Sequence, residues 1–135
     1  MGETLPDGSA ISRVRAFCDA WTRLDMDAVV QMLHPGIDYH NIPMKPLTGK
    51  PAVEAYLRSV RFESCAWDLR WIAATGMTVL TERVDRLVLA GHDIVLPVMG
   101  TFEIEDDLIR RWRDYFDLTS YKTQWPQQTA RIKPS

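Results

Sequence analysis

The chain is poor in the residues that most often announce a chemistry. It has 2 cysteines in 135 residues, Cys18 and Cys65, and no C-x-x-C. It therefore reads as neither a cysteine-bound metal centre nor a disulfide scaffold. It has 3 histidines but no H-x-H or H-E-x-x-H, the common signatures of metal-dependent hydrolysis. No G-x-S-x-G elbow is present for a nucleophilic serine. No apolar run approaches the ~20 residues of a membrane helix. The opening MGETLPDGSA lacks the basic and apolar regions of a secretory signal. Excess charge is missing too: 16 Lys plus Arg against 18 Asp plus Glu leaves −2, without a basic patch to grip a phosphate backbone. These absences predict a cytoplasmic protein with no nucleic-acid or membrane partner, no metal and no cofactor.

What remains is an average globular composition, 46% hydrophobic and 25% charged, in a length that suits one domain. Residues 1–8 read as a tail, 9–121 as the domain and 122–135 as a second tail. Ser9 can cap a helix over about 10–24, whose apolar stripe is Ile11, Val14, Phe17, Cys18, Trp21 and Leu24. Asp25 or Asp27 can cap a shorter helix carrying Val29, Val30, Met32 and Leu33, ended by His34-Pro35-Gly36. Ile37–Ile42 alternates like a strand, with Ile37, Tyr39 and Asn41 on one face. Pro51 opens a third helix that buries Val53, Tyr56, Leu57 and Val60. Four strands follow, at about 66–74, 77–90, 93–105 and 108–119, joined at Gly76, Gly91 and Glu105-Asp106-Asp107. Pro97 is expected to interrupt the third of them. Helices first and an antiparallel meander afterwards make an α+β domain, with helices over one face of a curved sheet.

Polar residues break the apolar faces at a few places, and such breaks mark candidate sites. One face of the second meander strand carries Val79, Thr81, Arg83, Asp85, Leu87 and Leu89. The last strand places Asp114 on a face with Leu108, Arg110, Trp112, Phe116 and Leu118. The third offers Leu96, Val98, Gly100 and Phe102. If these faces turn inward with Tyr39 and Asn41, an apolar cavity holds two Asp, one Arg, one Tyr and one Asn. Buried charges must pair, and a guanidinium with five donors can serve both carboxylates. Two carboxylates and one arginine leave a charge of −1. One shared proton cancels it and divides the pair into an acid and a base.

Three segments together carry a family resemblance. Thr81-Glu82-Arg83-Val84-Asp85 and Trp112-Arg113-Asp114-Tyr115-Phe116-Asp117-Leu118 resemble the two signature segments of the limonene-1,2-epoxide hydrolase family. Tyr39-His40-Asn41-Ile42-Pro43 resembles its Tyr-x-Asn segment, and the spacing matches from about Val14 to Leu118. The resemblance implies the cone-shaped nuclear transport factor two-like fold, a curved mixed sheet and helices around a deep pocket, and a homodimer formed through the sheets. It also implies hydrolysis of an epoxide to a vicinal diol without a covalent intermediate. Asp85 matches the general acid, Asp114 the general base and Arg83 the bridging arginine. Tyr39 and Asn41 match the residues that hold the water. Apolar walls suited to a hydrocarbon-like epoxide are assigned to Met32, Val53, Leu87, Leu96, Val98 and Phe116.

Two rivals remain on the sequence. An isomerase or cyclase of the same superfamily pairs His with Asp, but His40 has the opposite parity to Tyr39 and Asn41, and His34 and His92 fall in breaks. A non-catalytic binding or dimerisation module could use an apolar pocket, yet it has no need of two carboxylates around an arginine inside it.

Overall fold

Helical periodicity builds α1 (Pro6–Thr22), with Ala10, Val14, Phe17, Cys18 and Trp21 buried. The computed structural model describes residues 6–125, with side chains from residue 9 onward. The helix thus starts inside the segment expected as a tail, and Ser9 lies within it instead of capping it; residues 1–5 of that tail lie outside the described residues. Pro6 suits a first helical position, where its fixed φ fits and its missing N–H has no role. Asp25 caps α2 (Met26–Gln31), its carboxylate accepting the Ala28 N–H at 3.1 Å.

That helix stops short of Leu33, and His34-Pro35-Gly36 belongs to β1 (Leu33–Asn41) instead of forming a helix stop. A register shift between Leu33 and Asp38 accommodates Pro35 and Gly36, the usual tolerance of a bulge for these residues. The two-residue β2 (Leu47–Thr48) leads to α3 (Lys50–Ser59), with Pro51 in its first turn and Val53 and Leu57 buried. The meander is β3 (Ser64–Thr75), β4 (Thr78–Leu89), β5 (His92–Glu105) and β6 (Leu108–Tyr115), followed by α4 (Leu118–Thr123). The six strands lie in the order β2-β1-β6-β5-β4-β3, with β1 parallel to β6 and the other neighbours antiparallel. The sheet is curved and unclosed.

Three expectations for the meander change. Pro97 does not interrupt β5; it faces outward opposite Val84 in a continuous strand, because its fixed φ lies within extended backbone. On β6 the buried residues are Ile109, Trp112 and Asp114, not Leu108 and Arg110. The pairing shifts from Glu103↔Arg111 to Ile104↔Ile109. One extra residue on β6 thereby reverses the inward parity below Trp112. Arg110 instead reaches Asp38 at 3.0 Å. The strand also ends at Tyr115, because Asp117 caps α4 by accepting the Thr119 N–H at 3.0 Å. α4 runs into the expected C-terminal tail, and Tyr121 and Trp125 pack on the core; residues 126–135 lie outside the described residues.

The core is aromatic. Phe17 meets Trp21, Trp67, Phe102 and Trp112 edge-on, at centroid distances from 5.0 to 6.4 Å, the arrangement favoured by ring quadrupoles. On the opposite face of the sheet, Trp71, Glu82, Met99 and Tyr115 stand in register across β3, β4, β5 and β6. Trp71 is 75% exposed and Met99 55%. No helix among the described residues is long and apolar enough to cross a membrane.

Candidate active site

Strand alternation delivers the polar side chains to the concave face. On β4, every second residue from Val79 to Leu89 is buried, including Thr81, Arg83 and Asp85. Gly100 on β5 pairs with Thr81 on one side and Asp114 on the other. The parallel β1–β6 pairing sets Asn41 beside Asp114 and Tyr39 beside Trp112. Asp85, Asp114, Tyr39 and Asn41 all line one pocket, and Arg83 lies directly behind the two carboxylates.

Arg83 is 0% exposed, Asp85 6% and Asp114 5%. Its Nε donates to Asp85 Oδ1 at 2.8 Å and its Nη2 to Asp85 Oδ2 at 3.0 Å. Its Nη1 donates to Asp114 Oδ1 at 3.2 Å and its Nη2 also to Asp114 Oδ2 at 2.9 Å. Both carboxylates are therefore held by two bonds to one cation, which fixes their planes as well as their positions. The Trp67 ring covers the guanidinium from 3.8 Å, adding a cation–π contact in a desolvated place.

Burial pushes the Asp85 carboxyl above its ordinary value of 3.8, against the charge and hydrogen bonds of Arg83. Burial would strip the guanidinium of its charge, but Asp114 and Asp85 outweigh that and hold Arg83 more firmly protonated than usual. Burial, reinforced by the Asp114 charge, raises the Tyr39 hydroxyl well above 10.0, so Tyr39 is a neutral phenol that can donate. The arrangement thus contains a fixed cation, a carboxyl biased toward its acid form, a second carboxyl, and a phenol and an amide beside it.

The pocket holds a cavity of about 70 Å³ that opens to solvent. Leu87, Leu96, Val98 and Phe116 line it as expected. Met32 and Val53 do not. Val53 is fully buried in the core beneath α3, and Met32, at the end of α2, faces a separate depression with Arg13, Asp19 and Leu108. Met32 keeps a helical backbone as the C-cap of α2, but Val29, Val30 and Leu33 take the buried side and leave Met32 at its flank. Trp21, Tyr56, Phe62, Trp67, Trp112 and Tyr121 supply an aromatic wall that the sequence reading did not assign. Tyr56 had a signal in the inward face of the third helix, whereas Phe62 follows Arg61 at φ 63° in a loop and had none.

Among the described residues a metal-like grouping occurs at His34, Glu105 and Asp106, outside this pocket. His34 Nε2 is 3.7 Å from a carboxylate oxygen of each. Nδ1 accepts the Gly36 N–H at 2.9 Å, so the neutral ring carries its proton on Nε2, aimed at the carboxylates. That leaves no lone pair there for an ion, and the group reads as a surface polar cluster. None of the residues lining the pocket beside Asp85 and Asp114 is a histidine; His40 bonds instead to the Met44 carbonyl at 2.8 Å.

A curved, unclosed mixed sheet whose concave face carries helices and a pocket is the nuclear transport factor two-like, SnoaL-like fold. Within it, the chain belongs to the limonene-1,2-epoxide hydrolase family, whose catalytic-domain model matches residues 8–127. Epoxide hydrolase EphG of Mycobacterium tuberculosis is 34% identical over 120 residues, spanning 86% of this chain and 78% of that protein. The solved structure of an M. tuberculosis epoxide hydrolase of this type superposes with a TM-score of 0.77 at 30% identity, covering 96% of this chain and 98% of the other. A putative polyketide cyclase from Xanthomonas campestris superposes at 0.76 with 25% identity, covering 88% and 98%. The fold therefore hosts more than one chemistry, and the reaction has to be argued from the site.

Proposed function

We propose that the protein opens a small, largely apolar epoxide with water in one step, giving a vicinal diol. The observation that carries this is the doubly bidentate Arg83, which holds two carboxylates side by side at an apolar pocket. Asp114 takes a proton from a water held by Tyr39 and Asn41. The water oxygen bonds to an epoxide carbon, the strained C–O bond breaks, and the departing oxygen takes the proton of Asp85. The leaving alkoxide is poor without that proton and water is a weak nucleophile, so acid and base each contribute about 10²–10⁴ in rate.

Arg83 gives the step a further advantage. Before the reaction Asp114 is charged and Asp85 neutral; afterwards the reverse holds. The guanidinium contacts both, so the charge moves from one partner to the other without reorganising the cation, the kind of preorganisation that lowers a barrier. The aromatic and aliphatic walls exclude bulk water and select an apolar body.

The absence of a pocket histidine disfavours an isomerase or cyclase that pairs His with Asp. A binding module gains nothing from three desolvated charges. The homodimer belonging to the same reading uses the outward row of Trp71, Met99 and Tyr115 as its contact face, and a cytoplasmic setting suits the free thiols of Cys18 and Cys65.

The test is an assay of diol from limonene oxide, cyclohexene oxide and styrene oxide as pH is varied. Diol is expected from at least one of them. Because Asp85 must carry its proton, kcat/KM is expected to fall about tenfold per pH unit above its raised pKa. No diol from any epoxide moves the assignment to the binding module, and a rate that stays flat or rises on the alkaline side contradicts Asp85 as the acid.

A further inference from the structure

We propose that Gly100 is a positioning residue for the Asp85–Arg83–Asp114 group, an inference that rests on the hydrolase reading above. The Arg83 side chain leaves β4 and ends on Asp114 of β6, two strands or ~10 Å across the sheet. The strand it must cross is β5, and the inward-facing position beneath the crossing is Gly100, in register with Thr81 and Asp114. A Cβ built there lies 2.5 Å from Arg83 Nη1, 2.6 Å from Asp114 Oδ1 and 3.2 Å from Thr81 Oγ1. The first two atoms are donor and acceptor of the 3.2 Å bond between the arginine and the proposed base. Even the smallest side chain would intrude on that bond.

None of these neighbours has an easy retreat. Arg83 is clamped by three further bonds and by the Trp67 ring. Thr81 Oγ1 donates to the Gly100 carbonyl itself at 3.1 Å. The Asp114 main chain is tied down by the Ile42 N–H at 2.8 Å. The backbone, by contrast, does not require glycine. Gly49, Gly76 and Gly91 have left-handed φ values, and Gly100 does not. Alanine at 100 is thus conformationally acceptable, and its restriction of the unfolded chain offsets only part of the cost of the clash. The conflict is confined to the ionic group, which makes Gly100 a spacer that sets where Asp114 presents its free lone pairs to the pocket.

The test is Gly100→Ala, assayed on an epoxide that the parent opens. A displacement of the base by about 1 Å is expected to lower kcat about 100-fold, with KM within about threefold because the walls are untouched. In an Asp114→Asn background the same substitution is expected to cost less than about threefold, since the base it displaces is already gone. A single-variant kcat within about threefold of the parent, or an equal loss in both backgrounds, overturns the proposal.

Should Gly100→Ala fail to accumulate as folded protein, Arg83→Lys combined with Gly100→Ala is the second variant, because lysine has no Nη1 to meet the new methyl group or to hold Asp114 Oδ1 against it. Recovery of folded protein in the double variant supports the proposal, and failure of both overturns it. A parent that opens no epoxide refutes the hydrolase reading separately. Melting temperatures then still test the spacer: Gly100→Ala is expected below the parent, and the double variant no lower than Arg83→Lys alone. The opposite order overturns it.

Discussion

Asp114→Asn is expected to lower kcat by about 10³-fold or more, and Asp85→Asn by a similar factor, with both variants folded. An amide is nearly isosteric with a carboxylate, so the packing around Arg83 survives. What changes is chemistry. The amide at 114 cannot take a proton from water at any ordinary pH, and the amide at 85 cannot give one to an alkoxide. Each variant also turns an NH₂ group toward a guanidinium that wants an acceptor. That loss of a charge-assisted bond costs about 1.5–3 kcal/mol, on the order of 10 °C in melting temperature at this size. The two variants are told apart by pH. The residual rate of Asp85→Asn is expected to lose the alkaline decline of the parent, because the group responsible is gone, whereas Asp114→Asn keeps it. Steady-state rates of diol formation with a thermal melt of each variant check both points. Activity near that of the parent in either one refutes its assigned role.

Arg83→Met is expected to act on the fold as much as on the reaction. It leaves two carboxylates, 6% and 5% exposed, facing each other without a cation. Breaking a buried pair from one side costs about 3–5 kcal/mol, because the abandoned charges keep their desolvation penalty. At this chain length that is on the order of 10–20 °C. The loss is expected to depend on pH in a definite direction. Without Arg83, burial raises the Asp85 carboxyl further above its ordinary 3.8, so the native state binds a proton that the unfolded chain does not. Stability is then present at low pH and is lost as pH rises through the raised value. Thermal melts of Arg83→Met at pH 5 and pH 8 are expected to differ in that order by more than those of the parent. Adding Asp85→Asn and Asp114→Asn to Arg83→Met is expected to recover part of the loss, since a neutral group is far less costly to bury than an unpaired charge. A triple variant less stable than Arg83→Met would contradict the pairing account.

The parts of this protein that were legible in its sequence are those where local pattern and tertiary environment agree. On β4 the alternation from Val79 to Leu89 places Arg83 and Asp85 inside, and the structure keeps every one of those positions. β5 behaves the same way through Pro97, whose missing N–H falls on the open side of β5 beyond the last β6 pair, Met99↔Tyr115, where Val95 two residues earlier bonds to the Gln124 side chain. The errors fall where a partner strand or a cap decides. Nothing in Leu108-Ile109-Arg110 announces the bulge on β6, because it is set by the pairing to Glu103 and Ile104. Asp117 can follow a strand or cap a helix, and only the packing of Tyr121 and Trp125 selects the cap. The carboxylates and arginine were readable because charges on an apolar strand face demand a partner. The pocket walls were not, because α1, α3, α4, the loop at Phe62 and five strands all contribute. No periodicity within one element reports such a surface. Gly100 was visible only as a small residue on an apolar face; its meaning required the path of the Arg83 side chain above it.

In the proposed reaction water, and not a carboxylate, attacks the epoxide. A single turnover in oxygen-18 water, with enzyme in excess over epoxide, tests it directly by mass spectrometry of diol and protein. One heavy oxygen is expected in the diol and none in the protein. An unlabelled diol, with the label in the side chain of Asp85 or Asp114, would mean a covalent ester intermediate and would contradict it.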